Sequence, residues 1–154
     1  MTPRIAYTRV APAGLDALRT LDEYVRGSGL EPSLLELVKL RASQINGCAY
    51  CVDLHAKQAR AAGETEQRLF AISVWRETPF FSERERAALA WTEATTLISE
   101  EGVEEELFEI VRRDFSEKDL VDLSLAVAAI NAWNRIAIAF RPAIRVSRPG
   151  ARKS

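Results

Sequence analysis

Pro32-Ser33-Leu34-Leu35-Glu36-Leu37-Val38-Lys39-Leu40-Arg41-Ala42-Ser43-Gln44-Ile45-Asn46-Gly47-Cys48-Ala49-Tyr50-Cys51-Val52-Asp53-Leu54-His55 is the stretch whose reading decides the fold. Its first half carries apolar residues at helical spacing: Leu34, Leu37, Val38, Ala42 and Ile45. Pro32 suits a helix start, where its missing N–H would have had no partner anyway. Asn46-Gly47 then stops the helix, and a second is expected from about Cys48 to Ala62, closed by Gly63. On that helix Cys51 follows Cys48 by one turn, and His55 follows Cys51 by one turn. The three side chains fall within an arc of about 60°.

Working outward, helical patterns recur and strand patterns do not. Leu15, Leu18, Leu21, Tyr24 and Val25 give a helix over about 13–26, ended by Gly27-Ser28-Gly29. A short helix is expected over about 65–74. Ser82-Glu83-Arg84-Glu85 is a capping-box pattern opening a helix to about Ser99. Another covers about 104–113. The last starts at Ser116-Glu117-Lys118-Asp119 and runs to about Phe140, apolar on most faces and so buried against its own subunit or an interface. Ala6-Tyr7-Thr8-Arg9-Val10 is the one plausible strand, with no obvious partner. The reading is all-α, with six to seven helices in one domain over 1–144, followed by a basic, disordered tail over 145–154.

Composition narrows the classes. The chain has 154 residues, 47% hydrophobic and 28% charged, ordinary for a globular domain that buries one core. A formal net charge of −1 gives no general attraction to nucleic acid or anionic lipid. No signal core and no bilayer-spanning run stand out, so the cytoplasm is the expected compartment. There a Cys-x-x-Cys pair is more often catalytic or metal-binding than a permanent disulfide.

Cys48 and Cys51 are the only cysteines and His55 the only histidine. Two thiols and an imidazole on one helical stripe suit thiol redox chemistry: one sulfur attacks, the other resolves, and a base manages protons. Both sulfurs would lie near the first turn, where free N–H groups and the helix dipole favour a thiolate. A structural zinc site is the competing use, but the thiolate and imidazole donors total three of the four required. Inert buried cysteines beside a core histidine are the other alternative. Glu36 has two readings from the bare residues, a capping glutamate in Ser33-x-x-Glu36 or a functional carboxylate.

Glu36 through His55, with its Ile45-Asn46-Gly47-Cys48-x-x-Cys51 core and a histidine four residues on, resembles the carboxymuconolactone decarboxylase superfamily, in particular its alkylhydroperoxidase D-like branch. Glu85–Ala94 and Asn131-Ala132-Trp133-Asn134-Arg135 are similar to the family's later helices, so the resemblance spans roughly residues 15–140. It implies an all-helical fold assembling as a homo-trimer or homo-hexamer. It implies Cys51 as the peroxidatic thiol, Cys48 as the resolving thiol, and His55 with Glu36 as a proton relay. A hydroperoxide would be the substrate and an external dithiol, thioredoxin-like or lipoyl-bearing, the reductant, with no cofactor and no metal. Tyr50 stands where the best-studied type has a further histidine, which implies a shorter relay. A decarboxylase-like enzyme on the same scaffold and a non-catalytic oligomeric binding module are the other readings; the first is disfavoured because the decarboxylase branch generally lacks the cysteine pair.

Among other residues, Trp75, Trp91 and Trp133 are expected to pack, with Trp133 also at a pocket or interface. Asn131, Asn134 and Arg135 interrupt an apolar helix and so need polar partners, with Glu93 one candidate.

Overall fold

The computed structural model describes residues 2–100 and 102–144. Among these the chain forms α1 (Tyr7–Val10), α2 (Pro12–Arg26), α3 (Pro32–Ile45), α4 (Ala49–Ala61) and α5 (Glu66–Ala71), which passes into a 3₁₀ turn over Ile72–Glu77. Then come α6 (Glu83–Thr96), α7 (Glu105–Asp114) and α8 (Glu117–Phe140). The fold is all-α, with eight α-helices among the described residues rather than six or seven. The expected tail over 145–154 lies outside them.

Local chemistry sets the boundaries. Pro32 begins α3, as its locked φ and missing donor allow. Ser82 and Glu85 close a reciprocal capping box at the start of α6. Ser116 caps α8 by accepting the Asp119 N–H. Three expectations are corrected. Residues 7–10 form a helical turn, not a strand, because the segment is tied to the end of α8: Arg4 N–H donates to the Phe140 carbonyl at 3.0 Å, and the Tyr7 and Phe140 rings lie 5.7 Å apart. α5 stops at Ala71 and tightens into the 3₁₀ turn, where Val74 leaves helical geometry. α6 ends at Thr96 rather than near Ser99, after Thr92 and Thr95 have each turned a hydroxyl back onto a carbonyl four residues earlier.

α3 is the hub, packing on α4, α6 and α8, while α2 lies along α8. One core cluster joins α3, α6, α7 and α8 through residues such as Val38, Ala88, Val111 and Leu123. A second joins α3 to α4, the 3₁₀ turn and α6 through Leu37, Ala59, Ile72 and Leu89. A third, smaller cluster holds both cysteines against Ala42, Ile130 and Ala137. The expectation of no bilayer-spanning run is corrected: α8 is long and apolar enough to cross a membrane by length and composition. Here it packs against α2, α3 and α6, leaving Val121 and Ile138 exposed.

Leu123 is fully enclosed in the first cluster. Leu123→Ala is therefore expected to cost about 2–5 kcal/mol, through lost transfer energy and a residual cavity. Urea unfolding would measure it, and a loss below about 1 kcal/mol would show that this part of α8 is not packed as described.

Candidate active site

The site is built where α3 turns into α4. Gly47 has φ +68°, the left-handed region that a side chain rarely tolerates, and this bend ends α3. The Cys48 N–H then donates to the Ser43 carbonyl at 2.9 Å, and Cys48 becomes the N-cap of α4. The helix thus starts one residue later than the sequence pattern implies. Cys48 sits just outside it and Cys51 in its first turn, with the Cys48 sulfur accepting the Cys51 N–H at 3.4 Å.

Both cysteines are free and buried, with their sulfurs 2.6 Å apart. The two thiols do not behave alike. The hydrogen bond from the Cys51 side chain lowers the Cys48 pKa to about 7, against the opposing effect of burial and with help from the Cys51 N–H and the Asn134 amide. The same bond to Cys48, reinforced by burial and by the Cys48 charge, pushes Cys51 well above the ordinary thiol range. The contact therefore favours negative charge on Cys48 over Cys51. The sequence reading made Cys51 the attacking thiolate; in the reduced pair the mutual contact favours negative charge on Cys48 instead.

His55 is buried one turn beyond Cys51, and its Nδ1 lies 2.8 Å from Glu36 Oε2. A carboxylate partner makes Nδ1 the protonated nitrogen and leaves Nε2 for exchange. Glu36 reaches His55 from the second turn of α3. It caps nothing: the N-cap is Glu31, and Ser33 lies inside the helix. Among the described residues the imidazole bonds to neither sulfur, so a proton passing between His55 and Cys51 would travel through a water or the substrate.

α8 supplies a polar cluster behind the sulfurs. Arg135, a donor only, bonds Asn131 Oδ1 at 3.1 Å, which fixes that atom as oxygen. Asn46 Nδ2 then donates to Asn131 Oδ1 at 2.9 Å and to Asn134 Oδ1 at 2.8 Å. Asn134 must therefore turn its NH₂ the other way, to Ser43 Oγ at 3.0 Å and toward both sulfurs. The amide that stabilises negative charge on the pair is oriented by a chain ending at an arginine.

The two cysteines border different cavities. Cys51 shares a cavity of about 270 Å³ with His55, walled by α2, α4 and α8. Cys48 faces a groove of about 480 Å³ lined by Gly47, Ala49, Ala137, Ile138, Arg141 and Ile144. Tyr50 borders both. A larger groove, about 590 Å³ between α7 and α8, lies away from the cysteines and contains none of these groups.

The sequence model of the carboxymuconolactone decarboxylase family matches residues 12–94. A solved protein of unknown function from Agrobacterium tumefaciens, described as a candidate antioxidant defence protein AhpD, superposes with a TM-score of 0.92 at 46% identity, covering 95% of this chain and 100% of its own. This chain belongs to the carboxymuconolactone decarboxylase family, in its AhpD-like branch. The uncharacterised protein YdfG of Bacillus subtilis is 42% identical over 90% of this chain and 95% of its own length. The debrominase Bmp8 shares the fold, with a TM-score of 0.75 at 23% identity over 84% of this chain and 69% of its own. Members of this family are typically enzymes.

In this AhpD-like chain the four expected residues, Glu36, Cys48, Cys51 and His55, lie within one site. Trp133 lines the Cys51 cavity and donates its Nε1–H to Asp22 at 3.1 Å. Glu93 is not a partner of the α8 polar residues; it binds Arg41, Trp75 and Arg76 instead. The residues around the pair that sequence reasoning did not assign are Ser43, Asn46 and Asn134, together with Tyr7 and the α2 wall. The one signal available was the run of polar residues inside apolar α8.

The proton arrangement is testable by alkylation of the reduced protein. Thiolate grows as pH rises through the Cys48 pKa, so the labelling rate should be half-maximal near pH 7, with Cys48 labelled first. Cys51→Ala removes the donor and should move that midpoint up toward the ordinary thiol value of about 8.5. First labelling at Cys51, or an unchanged midpoint in the variant, would contradict the assignment.

Proposed function

We propose that this protein is a thiol peroxidase that reduces hydroperoxides through a Cys48–Cys51 dithiol/disulfide cycle. One observation carries the reading: Cys51 and His55 share the wall of one cavity, with the Cys48 sulfur in contact behind Cys51. The site has a nucleophile facing a pocket, a proton carrier beside it, and a second sulfur able to close on the first.

The cycle begins with the pair holding one proton. As substrate enters, the proton passes from Cys51 to the Cys48 thiolate across their contact. The Cys51 thiolate attacks the terminal peroxide oxygen, breaking the O–O bond; Cys51 becomes a sulfenic acid and an alkoxide leaves. The alkoxide takes a proton from solvent, relayed through Nε2 of His55, whose Nδ1 is held by Glu36. Cys48 then attacks the sulfenic sulfur. Its proton and the departing hydroxide form water, and a Cys48–Cys51 disulfide results. In sum, the monoanionic dithiol and ROOH give disulfide, water and RO⁻, which is protonated to ROH.

An external dithiol, thioredoxin-like or lipoyl-bearing, restores the pair by exchange. Attack at Cys48 fits the geometry, because Cys48 is the sulfur on the second groove. A Cys48 pKa near 7 also makes it a good leaving group when the mixed disulfide resolves. Such recycling needs a reducing compartment, and the reading places the protein in the cytoplasm. Assembly as a homo-trimer or homo-hexamer belongs to the same reading; the apolar groove of Trp91, Phe108, Leu120, Val121, Leu125 and Ala128 is a surface such contacts could cover.

Peroxide consumption with a dithiol donor tests the roles. Cys51→Ser should lose turnover. Cys48→Ser should stop after one event, leaving a sulfenate that dimedone traps on Cys51. His55→Ala should lower kcat/KM by about 10²–10⁴-fold, the usual contribution of a positioned acid or base. Full turnover in Cys51→Ser would overturn the assignment.

A further inference from the structure

The Cys51 cavity is much larger than hydrogen peroxide needs. A water molecule's share of the liquid is about 30 Å³. The cavity, at about 270 Å³, lies near the lower end of the range for small organic ligands. Six of its lining residues are apolar or aromatic, Tyr7, Tyr50, Leu54, Ile130, Trp133 and Ala137, while Thr8 and Gln58 add polar groups, Gln58 Oε1 being buried without a partner. The apolar and aromatic part of the wall suits a compact hydrocarbon or aromatic body.

The α2 wall adds charge. Arg19, Asp22 and Arg26 recur at helical spacing and all line the cavity. Two of the three are already matched. Asp22 accepts from buried Lys39 through one oxygen at 3.2 Å and from Trp133 through the other at 3.1 Å. Arg19 is paired with Asp16. His55 and Glu36 form a pair of their own at the inner end. Arg26 is exposed to solvent where it lines the cavity, and among the described residues it has no ion-pair partner, so it is a cation free to meet a ligand there. Its place in the last turn of α2 complements the helix dipole, which explains a basic residue there but not its position on the cavity wall.

From this we infer that the preferred substrate is a small organic hydroperoxide bearing a carboxylate or similar anion, with the anion on Arg26, the hydrocarbon body against the aromatic wall, and the peroxide at Cys51. The inference rests on the peroxidase reading and narrows its substrate class. Arg26 is a specificity residue, since it binds the end of the substrate that does not react. A guanidinium–carboxylate contact at the rim is worth about tenfold in affinity.

Two measurements test it. Turnover is compared for 4-carboxycumene hydroperoxide and its methyl ester, in the native protein, Arg26→Gln and Arg26→Lys. The acid should be favoured about tenfold in kcat/KM, mostly through KM; Arg26→Gln should erase the preference and Arg26→Lys keep part of it. Separately, calorimetry on the reduced protein compares 4-isopropylbenzoate with 4-isopropylbenzamide, which needs no turnover. The acid should bind about tenfold tighter, and Arg26→Gln should remove the difference. Equal handling of acid and ester, or a preference that survives in Arg26→Gln, overturns the inference while leaving the peroxidase reading intact. Discrimination in binding with no turnover of either peroxide sinks the hydroperoxide reading and supports the anion site alone. Neither turnover nor discrimination overturns both.

Discussion

The sulfurs of Cys48 and Cys51 lie 2.6 Å apart at the start of α4, a contact that lowers the Cys48 pKa and raises that of Cys51. That contact constrains its surroundings. Gly47 in the left-handed region ends α3 abruptly enough to make Cys48 the N-cap, where its sulfur takes an N–H that the helix cannot otherwise satisfy. α8 seals the pair with Ile130 and Ala137 and presents the Asn134 amide to it. An apolar seal alone would push both thiols up and leave them inert. The first-turn N–H and the oriented amide let one negative charge persist in a buried place.

The two sides of the pair differ in kind. Toward α2 the cavity holds Cys51, the His55–Glu36 pair and an aromatic wall. Toward the end of α8 the groove holds Cys48 and mostly aliphatic side chains. A disulfide between the cysteines would join the two openings, so oxidation on one side could be reversed from the other without the two reactants competing for space. The buried Lys39–Asp22 pair braces this arrangement by tying α3 to α2 and, through Trp133, to α8.

Much of this was legible in the sequence, for identifiable reasons. Pro32, the Asn46-Gly47 break, the Ser82/Glu85 box and the Ser116 cap are local signals, and the helices they bound follow them closely. The Cys48/Cys51/His55 stripe follows from spacing alone. Long-range contacts were not legible. The turn at 7–10 depends on Phe140, far along the chain, and reads as extended without it. From the bare residues the pairing of Glu36 with His55 competed with a local cap; the family resemblance favoured the pairing, and the structure has the contact at 2.8 Å with Glu36 beyond the first turn of α3. The role of Asn134 depends on its amide orientation, settled by Arg135, Asn131 and Asn46 in turn. That Cys48 caps α4 rather than lying inside it depends on a one-residue shift in where the helix begins, finer than sequence periodicity resolves.

The most direct measurement is the mass of the reduced protein, and of its thiol-blocked peptides, after one equivalent of hydroperoxide. The account predicts a loss of two hydrogens, a single Cys48–Cys51 linkage within the chain, and full recovery on adding a dithiol. An unchanged mass, or irreversible addition of oxygen to one cysteine with the other still free, would contradict it.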